Sequence, residues 1–306
     1  MKALWQRFQA LPDNLRGSLL LLVAALGFSV MTALIKLLGA RLHVTQILFL
    51  RQLGMTLMVA PILLDHFPRA LKTRRPLLQL ARIGCALVAM LAGFTAVIHL
   101  PLAEATAIGF AKSFFTTIFA ILILREVVGI RRWSATIAGF LGVLVMLQPG
   151  TAGFSIYGVY ALVGAGGAGM VMILIRLMSR TDAAVTILTY QAVGVGLIMA
   201  VPALLYWQPP TPLEWGLLVL VAIASYVAQT LNIYAYKFGE ASLLASLDYT
   251  RLLYATLLGF LLFGNLPGWQ TWLGAGIIVA ASVYTVHREA TLRRRRLQEK
   301  STKSKE

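Results

Sequence analysis

The sequence predicts an all-α integral membrane protein in which ten transmembrane helices form two inverted five-helix repeats around a central cavity. Three observations predict it. Of 306 residues, 59% are hydrophobic and only 12% charged, and mean hydropathy is +0.80, whereas a soluble domain is about a quarter charged. Basic residues gather on alternate connections between apolar runs. The stretch Ala103 to Trp133 also returns, at an offset of 139, as Ser242 to Trp272.

A spanning helix takes about 20 residues, so this length holds about ten spans with short connections. The expected spans are Gly17–Leu38, Val44–Leu64, Leu77–Ile98, Ala103–Leu124, Trp133–Gln148, Ile156–Leu177, Val185–Tyr206, Glu214–Tyr236, Ser242–Phe263 and Gln270–His287. They are expected to be helices because an open sheet leaves backbone groups unpaired in hydrocarbon. Turn chemistry separates them at Gly39, Pro76, Pro101, Pro149-Gly150, the Pro209-Pro210 cluster with Pro212, Gly239 and Pro267-Gly268. The organisation read from this is a first repeat over 17–148, a second over 156–287, and a basic tail over 288–306. Lys2 to Arg16 reads as a cytoplasmic segment with no cleaved leader. The single cysteine, Cys85, lies in an apolar run, so no disulfide framework can form.

Charge sets the orientation. With the amino terminus inside, 21 of the 27 Lys and Arg fall on the cytoplasmic side, Arg41 alone falls outside, and Lys36, Arg51, Arg82, Lys112 and Arg251 fall within spans. Both termini are then cytoplasmic. The net charge of +16 follows from this asymmetry and does not indicate nucleic acid. The run Arg293–Arg296 reads as an anchor against anionic lipid.

A five-span unit is odd, so its second copy must run through the membrane upside down, and equivalent connections must lie on opposite faces. Their charges differ as this requires. Arg125, Arg131 and Arg132 of the first copy become Gly264, Gln270 and Thr271, while Trp133 returns as Trp272. Lys112 aligns with Arg251, Phe115 with Tyr254, and Gln52 with Gln191, all at an offset of 139; Lys36 aligns with Arg176 at 140.

Depth selects the residues that carry chemistry. At about 1.5 Å per residue, Lys112 and Arg251 lie about 14 Å into their spans, near the middle of a ~30 Å core, where a cation is costly. Lys36, Arg82 and Arg176 lie near enough to span ends for their heads to snorkel to the interface. Arg51 is about a third of the way in, at about 1.5 Å per residue, with Gln52 beside it; a structural and a substrate-binding role both stand open. Asp248 is the carboxylate near the midplane, three residues before Arg251 on the same helical face. Three roles stand open for it: ion pair, proton carrier, or counter-ion to a substrate amine. Lys112 has no acid within a turn, so it meets either an anionic substrate group or Asp248 across the repeats. Phe115 and Tyr254, one turn beyond the two cations, either pack or stack a planar substrate.

Enzyme chemistry has little to build on. His43, His66, His99 and His287 lie near span ends without a thiol or acid at ligand spacing, so no metal and no cofactor is expected. The run Gly164, Gly166, Gly167, Gly169 lies inside a span with no strand before it, and it reads, like Gly139/Gly142 and Gly274/Gly276, as close helix packing.

The segments LPLAEATAIGFAKSFFTTIFAILILREVVGIRRW (100–133), GFLGVLVMLQPG (139–150) and GEASLLASLDYTRLLYATLLGFLLFGNLPGWQTWLGAGIIVAAS (239–282) resemble the two EamA-type domains of the drug/metabolite transporter superfamily. The resemblance extends over roughly residues 17 to 288. It implies ten helices in two inverted repeats, a central cavity, and movement of small metabolites across a bacterial inner membrane. Where the family usually carries Gly-Glu at the end of the fourth and ninth helices, this chain has Arg125-Glu126 and Gly264-Asn265.

Residues and resemblance together predict a secondary transporter working by alternating access, driven by an ion gradient, exchange or the substrate's own gradient. Its expected substrate contacts are Lys112, Arg251, Phe115, Tyr254, Arg51, Gln52 and Gln191, with Asp248 as counter-ion or proton site. The first expectation for cargo is export of an amino acid or related organic anion. The alternative is import of a larger planar cofactor precursor or nucleoside-like metabolite, resembling riboflavin or S-adenosylmethionine. A membrane-embedded lipid-modifying enzyme is the rival of another class. The expected partners are a small-molecule substrate and the bilayer; the oligomeric state, a monomer included, is open.

Overall fold

A computed structural model describes residues 11–65, 71–125, 130–148, 155–178, 181–182, 184–238, 244, 247–281 and 283–284. Expectations that lie outside the described residues concern Arg69, Pro149-Gly150, Arg180, Gly239 and the basic tail 288–306, together with the side chains of Arg131, Arg132, Trp133 and Lys237. The first half contains α1 (Asp13–Leu38), α2 (Val44–Asp65), α3 (Pro76–His99), α4 (Leu102–Gly109), α5 (Lys112–Leu124) and α6 (Ile130–Leu147). The second contains α7 (Ile156–Met178), α8 (Ala184–Leu205), α9 (Pro212–Phe238), α10 (Thr250–Phe263) and α11 (Trp269–Ala281). Among the described residues, seven helical stretches are long and apolar enough to cross a membrane, and three shorter apolar helices, Ile137–Leu147, Thr250–Phe263 and Trp269–Ala281, accompany them.

Sequence accounts for the helix boundaries. Pro12 and Pro101 precede α1 and α4 in extended conformation, and Pro76 stands at the start of α3, where its missing N–H costs nothing. Pro61 and Pro202 lie inside α2 and α8, each near its carboxyl end, where a lost backbone bond is least disruptive. The outward surface carries large exposed side chains such as Leu57, Leu64, Leu77, Leu197, Leu205 and Leu213. An apolar surface of this extent suits lipid and not water.

The packing of the two halves is reciprocal. α1 packs on α9 as α7 packs on α3; α10 packs on α1 as α5 packs on α7; α9 meets α2 as α3 meets α8; and α2 packs on α8. Exchanging each helix for its counterpart in the other half returns these pairs, whereas α1 on α3 and α2 on α3 have no counterpart of similar extent. Small residues permit the closest approaches: a Cβ at Gly164 or Gly167 would lie within about 3 Å of the α3 backbone at Gly93 and Ala89, and one at Gly142 would lie 2.8 Å from the Gly274 carbonyl. These are the helix contacts read from the glycine pattern. Gly276 is the exception, since a Cβ there meets nothing within 4 Å.

Two connections tie the halves together at separate places. Arg41, after α1, grips both carboxylate oxygens of Glu214 of α9 through Nε and Nη2, one edge of its guanidinium, and donates from Nη2 to the Pro209 carbonyl at 2.9 Å. Asp182, between α7 and α8, accepts from the Thr73 hydroxyl, from the Arg74 backbone N–H at 3.2 Å and from Gln79 Nε2 at 3.0 Å.

Candidate functional site at two broken helices

The expected fourth span, Ala103–Leu124, falls in the helical stretch Leu102–Leu124, which tightens into a turn part-way along its length. α4 ends at Gly109, and Phe110 and Ala111 form a turn in which Ala111 N–H bonds to Ile108 O at 2.9 Å and Ser113 N–H to Phe110 O at 3.1 Å. The second copy does the same: Asp248 and Tyr249 form a turn before α10, with Arg251 N–H on Asp248 O at 3.1 Å and Leu252 N–H on Tyr249 O at 3.0 Å. Bonds three residues apart tighten the chain and release the helical register. Lys112 is therefore the first residue of α5, and Arg251 lies in the first turn of α10.

The two breaks face each other. The rings of Phe110 and Tyr249, equivalent residues of the two copies, lie with centroids 4.7 Å apart at a 52° tilt. Beside them Lys112 Nζ stands 3.6 Å from Asp248 Oδ2, with side chains 33% and 21% exposed. Of the two roles open for Lys112, the structure shows the pair across the repeats. Among the described residues no salt bridge joins Asp248 to Arg251, although the turn leaves them three residues apart. Arg251 instead lays its guanidinium 4.9 Å from the Phe28 ring centroid on α1. Its Nε is buried without a hydrogen-bond partner among the described residues.

A second cluster lies between α2, α3 and α9. Arg51, 6% exposed, donates from Nε to the Ser225 hydroxyl at 2.9 Å and from Nη1 to Gln52 Oε1 at 2.6 Å. Its guanidinium carbon lies 5.6 Å from the Phe94 ring centroid. Gln52 Nε2 donates to the backbone carbonyl of Gln191 at 3.4 Å, so a second pair of equivalent residues meets. Phe28 and Phe94 are half-buried and pack on the same apolar cluster, which contains Met31, Ile35 and Val221.

The remaining expected residues are placed differently. Phe115 is half-buried against Gly166 and Gly169 of α7 and lies 6.2 Å from the Phe119 ring. Tyr254 is half-buried on α10. Arg82 does not snorkel: it is 2% exposed and donates to the Ile187 carbonyl at 2.6 Å. Lys36 is turned toward the end of a neighbouring helix. It is half-buried and donates to the carbonyls of Val97, Ile98 and Leu100 at the end of α3, groups that a helix terminus leaves unpaired. Arg176 is exposed.

Phe28, Phe94, Phe110 and Ser225 were not singled out in the sequence. Ser225 carried a signal, as a hydroxyl inside an apolar span; the phenylalanines carried none beyond their type. His43 and His99, far apart in sequence, line one cavity of ≈ 330 Å³ with Arg41, Thr95 and Gln208. No group of three metal-ligating side chains occurs among the described residues.

The profile of the EamA-like transporter family matches residues 15–148 and again 156–286. A protein named S-adenosylmethionine uptake transporter, from Rickettsia prowazekii (strain Madrid E), is 27% identical over 280 residues, 92% of this chain and 95% of the relative. The pseudopaline exporter CntI of Pseudomonas aeruginosa (strain UCBPP-PA14) is 28% identical over 272 residues, covering 87% and 94%. A riboflavin transporter of Vibrio cholerae serotype O1 is 26% identical over 289 residues, covering 92% and 96%. A protein of known crystal structure superposes with a TM-score of 0.61 at 19% identity, over 93% of this chain and 99% of that one, a likeness of fold.

Proposed function

The chain belongs to the EamA-like transporter family, and from that premise we propose that it moves a small amphoteric metabolite across a bacterial inner membrane by alternating access. As a member of a transporter family it is not an enzyme. In this reading the repeats 17–148 and 156–287 are inverted five-helix units with both termini in the cytoplasm, and they rock about the facing helix breaks. The reciprocal packing of the halves and the opposed charge of equivalent connections support the inversion.

The observation that carries the site is the loose ion pair between Lys112 and Asp248, 3.6 Å apart, beside Arg251, whose Nε is buried without a hydrogen-bond partner among the described residues. Direct charge-assisted bonds are nearer 2.7–2.9 Å, so this pair neutralises charge without closing the space between its members. A cargo carrying a carboxylate and an amine can enter it. The carboxylate takes Lys112 and Arg251, the amine takes Asp248, and each buried charge keeps a partner in the empty and the loaded state. Phe115 and Tyr254 flank the path. Because Lys112 and Asp248 come from different halves, losing and regaining their contact couples occupancy to movement of one half against the other.

Export of an amino acid or related organic anion is the first reading. A second, import of a larger nucleoside-like or cofactor-like metabolite, is favoured by the relatives named for S-adenosylmethionine uptake and riboflavin transport. Metabolite profiles of medium and cytoplasm, compared between cells with and without the protein, separate the two by the side on which a compound accumulates. Lys112→Gln and Arg251→Gln should each abolish that difference while the protein still reaches the membrane. Transport unchanged in both variants rejects the site.

A further inference from the structure

Arg51 is a buried cation that the proposed site leaves unused. Its guanidinium has five N–H donors, yet its side-chain partners are Ser225, Gln52, the Met90 sulfur at 4.0 Å and the Phe94 ring, all uncharged. No carboxylate forms a salt bridge with the group among the described residues. Burial of an ionised group without a counter-charge is strongly unfavourable. The surrounding hydrogen bonds fix the fork in one orientation: Ser225 is held in turn by the Val221 carbonyl at 2.6 Å, and Gln52 by Gln191 of α8. An added Cβ at Gly93, one helical turn after Met90, meets nothing within 4 Å, so this face of α3 is not filled.

We propose that Arg51 is a second anion subsite on the cargo path, so that the cargo carries a second carboxylate beyond the one taken by Lys112 and Arg251. The inference rests on the amphoteric site proposed above and narrows its cargo to acidic amino-acid-like metabolites. An oriented guanidinium without a counter-charge matches a carboxylate in plane. Phe94, with Arg51, and Phe28, with Arg251, belong to one apolar cluster. They floor the two anion subsites and leave the cargo's alkyl chain apolar surface to cross.

The test uses the purified full-length protein in lipid nanodiscs and reads thermal unfolding at millimolar ligand. The probes are aspartate, glutamate, 2-aminoadipate and 2-aminopimelate, each against its side-chain amide of nearly the same shape. At least one acid should raise the melting temperature above its amide, reflecting about tenfold tighter binding. Arg51→Gln should remove that gap while keeping the response to the amide. Arg51→Lys, which keeps charge but loses the fork, should retain part of the gap. Equal responses to acid and amide along the whole series in the wild-type protein, or a gap unaltered in Arg51→Gln, overturn the proposal. If Arg51→Gln does not fold, the wild-type series and Arg51→Lys decide it. A response to the amides with no gap removes only the Arg51 subsite; loss of all response, with Lys112→Gln behaving like the wild type, removes the amphoteric site as well.

Discussion

Phe110 and Tyr249, which occupy the same position in the two sequence copies, rest against each other with ring centroids 4.7 Å apart. Gln52 and Gln191 form a second such pair, joined by a 3.4 Å bond. Equivalent residues of two repeats touch only where the operation relating the repeats brings them together, so these contacts mark the axis between the halves. Lys112 and Asp248 lie beside the first contact and Arg51 beside the second. The charged residues of the interior thus collect where the two halves meet.

The Phe110 ring is buried, at 5% exposure, in the largest apolar cluster. Phe110→Ala should lower stability by about 3–5 kcal/mol, as for other buried aromatic truncations, and Phe110→Leu by about 1–2 kcal/mol. Reversible unfolding in mixed micelles measures both. Equal losses for the two would mean that the ring contact, and not the volume it fills, accounts for the loss.

Asp182 gives the fold a pH dependence whose sign can be worked out. Burial pushes its carboxyl up, but hydrogen bonds from the Thr73 hydroxyl, the Arg74 backbone N–H, Gln79 and Thr181 together outweigh burial and hold it below the usual carboxylate range. A group with a depressed folded pKa stabilises fully above its unfolded value, ~3.9 for Asp, and this contribution is lost as pH falls through the folded value. Asp182→Asn should therefore melt lower than the wild type by a constant margin, about 1 kcal/mol, from pH 7 to pH 5, and the margin should shrink below pH 4. Melting curves of the two proteins across that range check it.

Much of the architecture could be read from the chain because hydrocarbon leaves few options. The ends of α2, α3, α7 and α8 fall within a residue or so of the apolar runs. The breaks were hidden: Gly109 is the lone local hint in the first copy, where Phe110 and Ala111 continue the apolar run, and no proline marks either turn. Lys112, Asp248 and Arg251 were identifiable by depth alone. Their pairing was not, since it joins Lys112 to Asp248 across the two halves. Arg82 was misread for a related reason. Distance from a helix end says nothing of a neighbouring carbonyl, and Ile187 of α8 holds it inside.

Gly169 fixes the approach of α7 to α5. A Cβ there would stand 2.8 Å from Phe115 Cβ, 2.9 Å from Thr116 N and 3.0 Å from the Lys112 carbonyl, and backbone cannot swing aside as a side chain can. Gly169→Ala should cost about 1–3 kcal/mol and reduce transport by displacing Lys112 relative to Asp248. Gly276→Ala, with nothing within 4 Å of the new methyl, should instead gain about 0.5–1 kcal/mol from helix propensity. Melting temperature and uptake or efflux rate, measured on both, separate crowding from a general effect of losing glycine.

Arg125 and Gly264 close α5 and α10 at equivalent positions, and both adopt the left-handed conformation, with φ of 52° and 65°. That backbone satisfies the last carbonyls of a helix, and it suits glycine but costs an L-residue with a Cβ about 1 kcal/mol. Arg125 is exposed, so its side chain offers little packing to offset the strain. Arg125→Gly should thus stabilise the protein by about 0.5–1 kcal/mol, and Gly264→Ala should destabilise it by about 1 kcal/mol. The charge at 125 has a separate use, since it belongs to the basic connection after the fourth span. Arg125→Gly should therefore raise the melting temperature yet lower the fraction of chains inserted in the correct orientation, read by protease protection of a carboxyl-terminal tag. A loss of stability in Arg125→Gly would show that the arginine side chain, and not the backbone angle, governs this cap.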